Sequence, residues 1–465
     1  MSMAGPRFFS LLALCTLVGA CSSVPRGDDP KAADAGDSDS IFTDLELAVI
    51  RAQFGRLPLT PPSDPTDLTY ADNVDASLLG EKFFFEKSYS PNGQISCATC
   101  HQPENAFQDK RLVNGAIAPT SQGLMFTGRH APSLLNSGYG AVRANTTDWQ
   151  FWDGRKDSLW SQALAPPENP SEMGGSRTQV ALMIFDKYQS DYVSVFKSMP
   201  QLRAEIADAD AMATPSADPT SAAYLAWTND LTDQARVDIN TVYSNFGKAI
   251  AAYERRLVDR DSLFDQFRDD LIKDASSTPD ELNSPQVTGL KLFIGRAHCV
   301  SCHFGPNLTD GLFHNLGVPQ VGDHVLASDD GRQGGIPKLQ ADTDFNCQGT
   351  FSEVADKTQC AVATLEPQAS DLGAFKTPSL RGVAARGPYF HTGFAKTLDD
   401  VVTFYDGGGG RANAEAGVNF VGSVDATIVP LGLTPDERDA LVAFLGTLTG
   451  TTKLPTELTT PPLPP

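Results

Sequence analysis

The sequence predicts a mainly α-helical chain of two similar halves joined by long loops. Three observations carry that expectation. First, a short segment recurs, as Gly80-Glu81-Lys82-Phe83-Phe84 and again as Gly289-Leu290-Lys291-Leu292-Phe293, and each copy reads as the end of an amphipathic helix. Second, between the copies, Val242, Phe246, Ile250, Tyr253 and Leu257 fall at helical spacing and form the buried stripe of a core helix. Third, Thr434-Pro435-Asp436-Glu437 is a capping box with proline at the first helical position, and the helix it opens carries Leu441, Val442, Phe444, Leu445 and Leu448. The 39 glycines and 32 prolines supply the loops between such helices.

A chain of 465 residues is too long for one small domain and suits two or three units, and a hydrophobic content of 41% is enough for ordinary buried cores. In chain order, residues 1–21 read as an export signal. Arg7 precedes the apolar run Phe8-Phe9-Ser10-Leu11-Leu12-Ala13-Leu14, which is too short to span a bilayer. Val18-Gly19-Ala20-Cys21 resembles a bacterial lipoprotein signal in which Cys21 is lipidated and becomes the N-terminus; an ordinary cleaved signal peptide is the competing reading. The lipoprotein reading places the protein on the periplasmic face of the cell envelope, anchored to a membrane. Residues 22–45 are small, polar and charged, which suits a flexible tether. Residues 46–275 and 276–450 then make the two main domains, and the Thr- and Pro-rich stretch 451–465 reads as an extended tail.

The formal net charge of −21 makes nucleic acid an improbable partner, since binding it needs a basic surface. It suits encounter with a small basic redox protein, although solubility alone also accounts for it.

Eight cysteines sort by position: Cys15 and Cys21 lie in the signal, and Cys347 and Cys360 stand close together in a polar stretch, where a disulfide is the default for an exported protein. The other four form Cys97-Ala98-Thr99-Cys100-His101 and Cys299-Val300-Ser301-Cys302-His303. CxxCH offers two thiols for the two vinyl groups of a haem and an imidazole for its iron. A lone CxxC more often marks a redox disulfide or half a zinc site, but the adjacent histidine and the repetition favour two covalently bound c-type haems. His101 and His303 are then the proximal ligands. A helix before each motif and one closing the domain is the arrangement of a cytochrome c, so the expected fold is two cytochrome c-like haem domains with long loops.

From about Leu78 to Gly450 the chain resembles the bacterial dihaem cytochrome c peroxidases, and especially their MauG-like branch. The resemblance rests on the two CxxCH motifs in order together with Gly128-Arg129-His130-Ala131-Pro132-Ser133-Leu134-Leu135-Asn136, Phe151-Trp152-Asp153-Gly154-Arg155 and Pro388-Tyr389-Phe390-His391-Thr392-Gly393. It implies that Trp152 is the relay between the haems, against the plainer reading of a core aromatic. It also makes Gln162 the distal-pocket glutamine and Glu172 the catalytic glutamate. Ordinary members carry a distal histidine shortly after the first motif; no histidine lies between His101 and His130 here, which implies an open first haem. For the second haem, Thr397 and Asp400 cap a helix ending at Gly407, and its Leu398, Val401, Val402 and Tyr405 share one face. Where typical members place methionine, the MauG-like branch places tyrosine, so Tyr405 is the implied sixth ligand; a core tyrosine bonded elsewhere is the alternative. A phenolate favours oxidised iron.

Typical members also hold calcium through an asparagine and two carbonyls, of a threonine and a proline. Here His130 and Arg386 replace the first two and Pro388 is kept, which leaves calcium in doubt. The resemblance implies a peroxidase that reduces hydrogen peroxide at the first haem, with Glu172 moving the proton, Gln162 holding hydrogen bonds and Trp152 leading to the second haem. A small c-type cytochrome or cupredoxin would be the electron donor. Oxidation of a partner protein's side chains, as in MauG-like proteins, is the second reading, and a non-enzymatic electron-transfer lipoprotein the third.

Overall fold

The Val74–Phe85 helix begins where the side chain of Asn73 accepts from the amide of Ala76, and it buries Ala76, Leu79, Phe83 and Phe84. That face lies against the Asp233–Glu254 helix, which Thr232 caps and whose Val242, Phe246, Ile250 and Tyr253 are buried as the spacing predicts. Leu257 is also buried but follows the last helical turn. The two helices touch backbone to backbone at Gly80: a β-carbon there would stand 1.8 Å from the carbonyl oxygen of Ala249. The second half repeats the arrangement. The Ser284–Ile294 helix, opened by the Asn283/Gln286 capping box, packs on the Pro435–Gly446 helix, opened by the expected Thr434/Glu437 box. At their crossing a β-carbon on Gly289 would lie 2.0 Å from the carbonyl oxygen of Ala440. The recurrence of Gly80 and Gly289 in the sequence is thus a steric requirement for close helix crossing, because any side chain would force the pair apart.

This is a computed structural model, and it describes residues 41–140, 147–207, 210–216, 218–274, 281–411, 419–451 and 453–463. The export signal, Cys21 and the tether up to residue 40 lie outside the described residues. From Phe42 to Pro465 the chain packs as one unit. Its fold is mainly helical; among the described residues the strands form two antiparallel pairs, Leu112–Val113 with Ala116–Ile117 and Phe313–His314 with Phe375–Lys376.

Two large apolar clusters form the core. One gathers Leu79, Phe83, Trp160, Tyr243 and Phe246 around the first helix pair, and the other gathers Leu290, Phe293, Leu441 and Phe444 around the second. The second also takes in Ile50 and Phe54 from the Asp44–Gln53 segment and Phe264 and Phe267 from the Leu263–Lys273 helix. Each fully buried phenylalanine contributes roughly 1.5–3 kcal/mol of transfer free energy. Cys347 and Cys360 are joined by the expected disulfide, not in a polar setting but inside a small apolar cluster with Leu339 and Val362. The Thr- and Pro-rich tail is not freely extended as its composition suggests. Thr456–Leu458 form a helical turn, Leu458 is buried, and its carbonyl accepts from the phenol of Tyr253 at 2.6 Å.

Candidate functional site

Both CxxCH motifs fold into the same local shape. In the first, Cys97–Cys100 make one helical turn, the amide of His101 returns to the carbonyl of Cys97 at 2.9 Å, and the ring Nδ1 lies 3.1 Å from the carbonyl of Phe107. In the second, the amide of His303 reaches the carbonyl of Cys299 at 2.9 Å, and Nδ1 lies 3.1 Å from the carbonyl of Leu308. A carbonyl only accepts, so each Nδ1 carries the proton and each Nε2 is left as a lone-pair donor. Burial lowers the pKa of both imidazoles and keeps them neutral, the form that binds metal.

A single cavity of about 630 Å³ collects these groups. Its wall includes the four free thiols Cys97, Cys100, Cys299 and Cys302 with His101 and His303, and also Gln162, Glu172, Trp152 and Tyr405. Apolar side chains such as Ile95, Leu134, Ile250, Phe293, Leu380 and Leu445 complete it. Four thiols outside any disulfide, two buried neutral imidazoles each fixed at Nδ1 by a backbone carbonyl, and an apolar surround are a donor set that fits two c-type haems. So does an orphaned polar atom in the wall: buried Glu254 leaves Oε2 without a hydrogen-bond partner, and burial pushes its carboxyl up to about 8.

Gln162 stands on the short Leu159–Ala163 helix, which Ser158 caps, and Glu172 follows in a loop pinned by its own backbone. The amide of Glu172 bonds the carbonyl of Asn169, and its carbonyl accepts from Leu124 at 2.8 Å. Burial raises the Glu172 carboxyl above the usual carboxylate range, and the positive charge of Arg155 opposes that rise. Arg155 is itself held by Asp153 at 2.9 Å and lies 3.6 Å from the ring centre of Phe151.

Trp152 is anchored through Nε1, which donates to the carbonyl of His130 at 2.8 Å. The amide of His130 in turn bonds the carbonyl of His391, and the His391 ring stacks on Phe375 at 3.5 Å. Arg129 clamps this segment: it bonds Asp153 at 2.7 Å and both oxygens of Asp329 at 2.6–2.7 Å, with Asp153 and Asp329 buried. The three stretches that carry the family resemblance therefore meet around Trp152.

Tyr405 lies on the Leu398–Asp406 helix, whose Thr397/Asp400 box and stop at Gly407 are as expected. Leu398, Val401 and Val402 share the cavity wall with it. Burial, then the nearby Cys299 and Cys302 sulfurs, holds its phenol above the ordinary range. Beside the second motif, His314 bridges Asp310 at 2.9 Å and Asp425 at 2.8 Å, and its Nε2 is 3.7 Å from the Cys302 sulfur. The hydrogen bond its ring donates to Asp310 is the largest of the causes that raise its pKa to about 11, so it is an imidazolium.

At the three positions compared with the calcium ligands, the buried ring of His130 is neutral, its pKa pushed down to about 4 by burial, and neither ring nitrogen makes a well-formed hydrogen bond. Arg386 donates to the carbonyls of Leu135 and Ser379, both at 3.3 Å. The carbonyl of Pro388 accepts from Gln108 at 2.9 Å.

Every site residue expected from the sequence lies on this one wall. Sequence reasoning missed Glu254, Arg155 as the charge beside Glu172, and His314 with its two carboxylates. The only local trace of these was the Asp310–His314 spacing of four.

Residues 75–271 match the family model for di-haem cytochrome c peroxidase. A cytochrome-c peroxidase, IdrP1, of Denitromonas iodatirespirans is 30% identical, over 89% of this chain and 92% of its own. The methylamine utilization protein MauG of Methylorubrum extorquens is 27% identical over 90% of this chain and 89% of its own. Among solved structures, a MauG-like protein associated with microbial copper homeostasis shares the fold, with a TM-score of 0.57 at 22% identity over 87% of this chain and 98% of that one.

Proposed function

The chain belongs to the di-haem cytochrome c peroxidase family, and from that premise we propose that the haem held by Cys97, Cys100 and His101 is the one that meets peroxide. The haem held by Cys299, Cys302 and His303, with Tyr405 as its second protein ligand, is the electron-transferring one. The protein is a peroxide-acting oxidoreductase. The observation that supports the assignment of roles is the shared wall: both motifs, Gln162, Glu172, Trp152 and Tyr405 line one cavity, with Glu172 close enough to Cys100, and Tyr405 to Cys299 and Cys302, to act on each other electrostatically. In this reading residues 46–275 are the peroxidatic domain and 276–450 the electron-transfer domain.

When bound, haem supplies the iron that accepts peroxide and the electrons that reduce it. The protein does the rest. His101 and His303 offer Nε2 to the metal, each ring fixed by a backbone carbonyl. Glu172, as carboxylate, takes the proton from the inner peroxide oxygen and returns it to the outer one so that water leaves. The positive charge of Arg155 opposes the rise that burial imposes on that carboxyl, and Gln162 orients the peroxide. Trp152, fixed at its indole nitrogen by the His130 carbonyl, serves in this reading as the relay between the two centres. Arg386 supplies the positive charge in the place of calcium.

Electrons come from a small c-type cytochrome or cupredoxin, whose basic face suits a chain of net charge −21. Export behind the 1–21 signal, with a lipid on Cys21, would hold the enzyme at the periplasmic face; among the described residues no helix is long and apolar enough to cross a membrane. Tyrosine at 405 and the likeness to MauG favour a second reading, oxidation of side chains on a bound partner protein. Peroxide-dependent oxidation of a reduced basic c-type cytochrome by the purified protein tests the first. Negligible turnover with such donors, together with modification of a bound protein, would move the assignment to the second.

A further inference from the structure

The Arg177–Phe196 helix loses helical geometry at one residue, Tyr188, whose backbone sits at φ −122° and ψ 17°. The break coincides with a hydrogen bond: the phenol of Tyr188 donates to Oε2 of Glu86 at 2.7 Å. Glu86 is prepared for it. Its Oε1 accepts from the amides of Lys87 and Ser88 at 2.9 and 2.8 Å and lies 3.5 Å from the ammonium of Lys187, which leaves Oε2 to the phenol. Four other phenols of this half are bonded differently: Tyr89, Tyr243 and Tyr253 donate to backbone carbonyls, and Tyr192 accepts from Asn245.

Tyr188 is also connected to the first haem motif. Its ring meets Phe83 edge-on at 5.5 Å. The carbonyl of Phe83 accepts from the Tyr89 phenol at 3.3 Å, and that same phenol oxygen is 3.5 Å from the Cys97 sulfur. Phe246 packs against both Phe83 and Tyr89, at 5.3 and 5.4 Å. A continuous, fully packed path therefore runs from Cys97 to a buried phenol at the foot of Lys187, whose side chain is 44% exposed.

We propose that Tyr188, with Glu86 as its proton acceptor, is a redox-active side chain that yields an electron to the first haem after peroxide has oxidised it. The phenolic O–H bond breaks, an O–H bond forms at Glu86 Oε2, and the electron travels inward along Phe83, Phe246 and Tyr89. The haem gains one equivalent of the two that peroxide withdrew in becoming water, and a neutral tyrosyl radical remains. A carboxylate at 2.7 Å is within the reach that proton transfer requires, and a backbone carbonyl cannot hold the proton. The site drains oxidising equivalents when no donor is docked. It rests on the reading of Cys97–His101 as the peroxide-reacting centre.

The test uses the haem-loaded full chain mixed with hydrogen peroxide without reductant, freeze-quenched and read by electron paramagnetic resonance, with and without ring-deuterated tyrosine. A tyrosyl signal that narrows on deuteration, disappears in Tyr188→Phe, falls several-fold in Glu86→Gln and persists in Tyr243→Phe is expected. If Tyr188→Phe does not fold, Glu86→Gln, which keeps the phenol and the packing, decides by the same yield. A signal unchanged in either variant, or no tyrosine signal while peroxide still alters the haem absorption, overturns this proposal alone. No change of haem absorption on adding peroxide overturns the peroxidatic reading beneath it as well.

Discussion

Replacing Glu172 by glutamine keeps the size of the side chain and removes its ability to carry a proton. The carboxyl lines the cavity and is buried enough for its pKa to rise above the ordinary 4.5, with Arg155 opposing the rise. Loss of a positioned acid–base group costs on the order of 10²-fold or more in rate, about 2.7 kcal/mol of barrier. The assay is the bimolecular rate of peroxide reaction, followed in a stopped flow at the haem absorption. The pH profile adds a second constraint. The working form is the carboxylate, so the rate falls as pH drops through the Glu172 pKa, and burial places that fall above the usual carboxylate range. Arg155→Gln removes the charge that opposes burial, so its acid limb moves to higher pH while the plateau rate survives. A Glu172→Gln rate equal to wild type would remove Glu172 from the mechanism, and an acid limb that stays put in Arg155→Gln would remove the electrostatic account of it.

Tyr405→Phe deletes the oxygen proposed as a ligand of the second iron, so the ferric optical and magnetic resonance signature of one haem should change and its reduction potential rise; a spectrum identical to wild type would return Tyr405 to the core. Glu254 is held up to about 8 by burial against an ordinary 4.5, so the folded chain binds this proton more tightly than the unfolded one. That contribution to stability is fully present below the ordinary value and is lost as pH rises towards about 8. Glu254→Gln lacks the loss, so its stability relative to wild type should improve by on the order of 3 kcal/mol between pH ~4 and ~7, read from denaturant unfolding at matched pH; a constant difference would contradict it. On the proposal that buried Arg386, lowered to about 10 chiefly by burial, supplies the charge in the place of calcium, metal analysis of the purified protein should find none. One calcium per chain would show that the guanidinium does not substitute for the ion.

What could be read from the sequence is what neighbouring residues do to one another. The CxxCH motifs place thiols and imidazole within one turn, and the Thr397/Asp400 and Thr434/Glu437 boxes close over a single turn of helix, so their geometry follows from spacing. Gly80 and Gly289 were visible as a repeat, but their reason is a carbonyl on another helix. Gln162 and Glu172 were indistinguishable from surface residues until the flanking motifs aligned them with a family. Glu254, the His314–Asp425 bond across 111 residues and the Tyr188–Glu86 bond across 102 depend on which distant segments the core brings together, and no local pattern encodes that. The tail misled for a related reason: its Thr and Pro content describes the stretch on average, whereas Leu458 decides where it docks.

The disulfide between Cys347 and Cys360 sets a condition on how the protein is made. Thioether bonds to haem require Cys97, Cys100, Cys299 and Cys302 as thiols, while this pair, 13 residues apart, must be oxidised. One chain thus has to undergo opposite thiol reactions during its maturation, and six cysteines permit 15 ways of pairing them wrongly or rightly if oxidation comes first. The closeness of Cys347 to Cys360, and of each thiol to its partner across two residues, makes the faster local errors the disulfides within the CxxC pairs. Yield of holoprotein should therefore depend on how well the producing cell keeps those two pairs reduced, and a Cys347→Ser/Cys360→Ser chain would relax the conflict at the expense of the cluster around Leu339 and Val362.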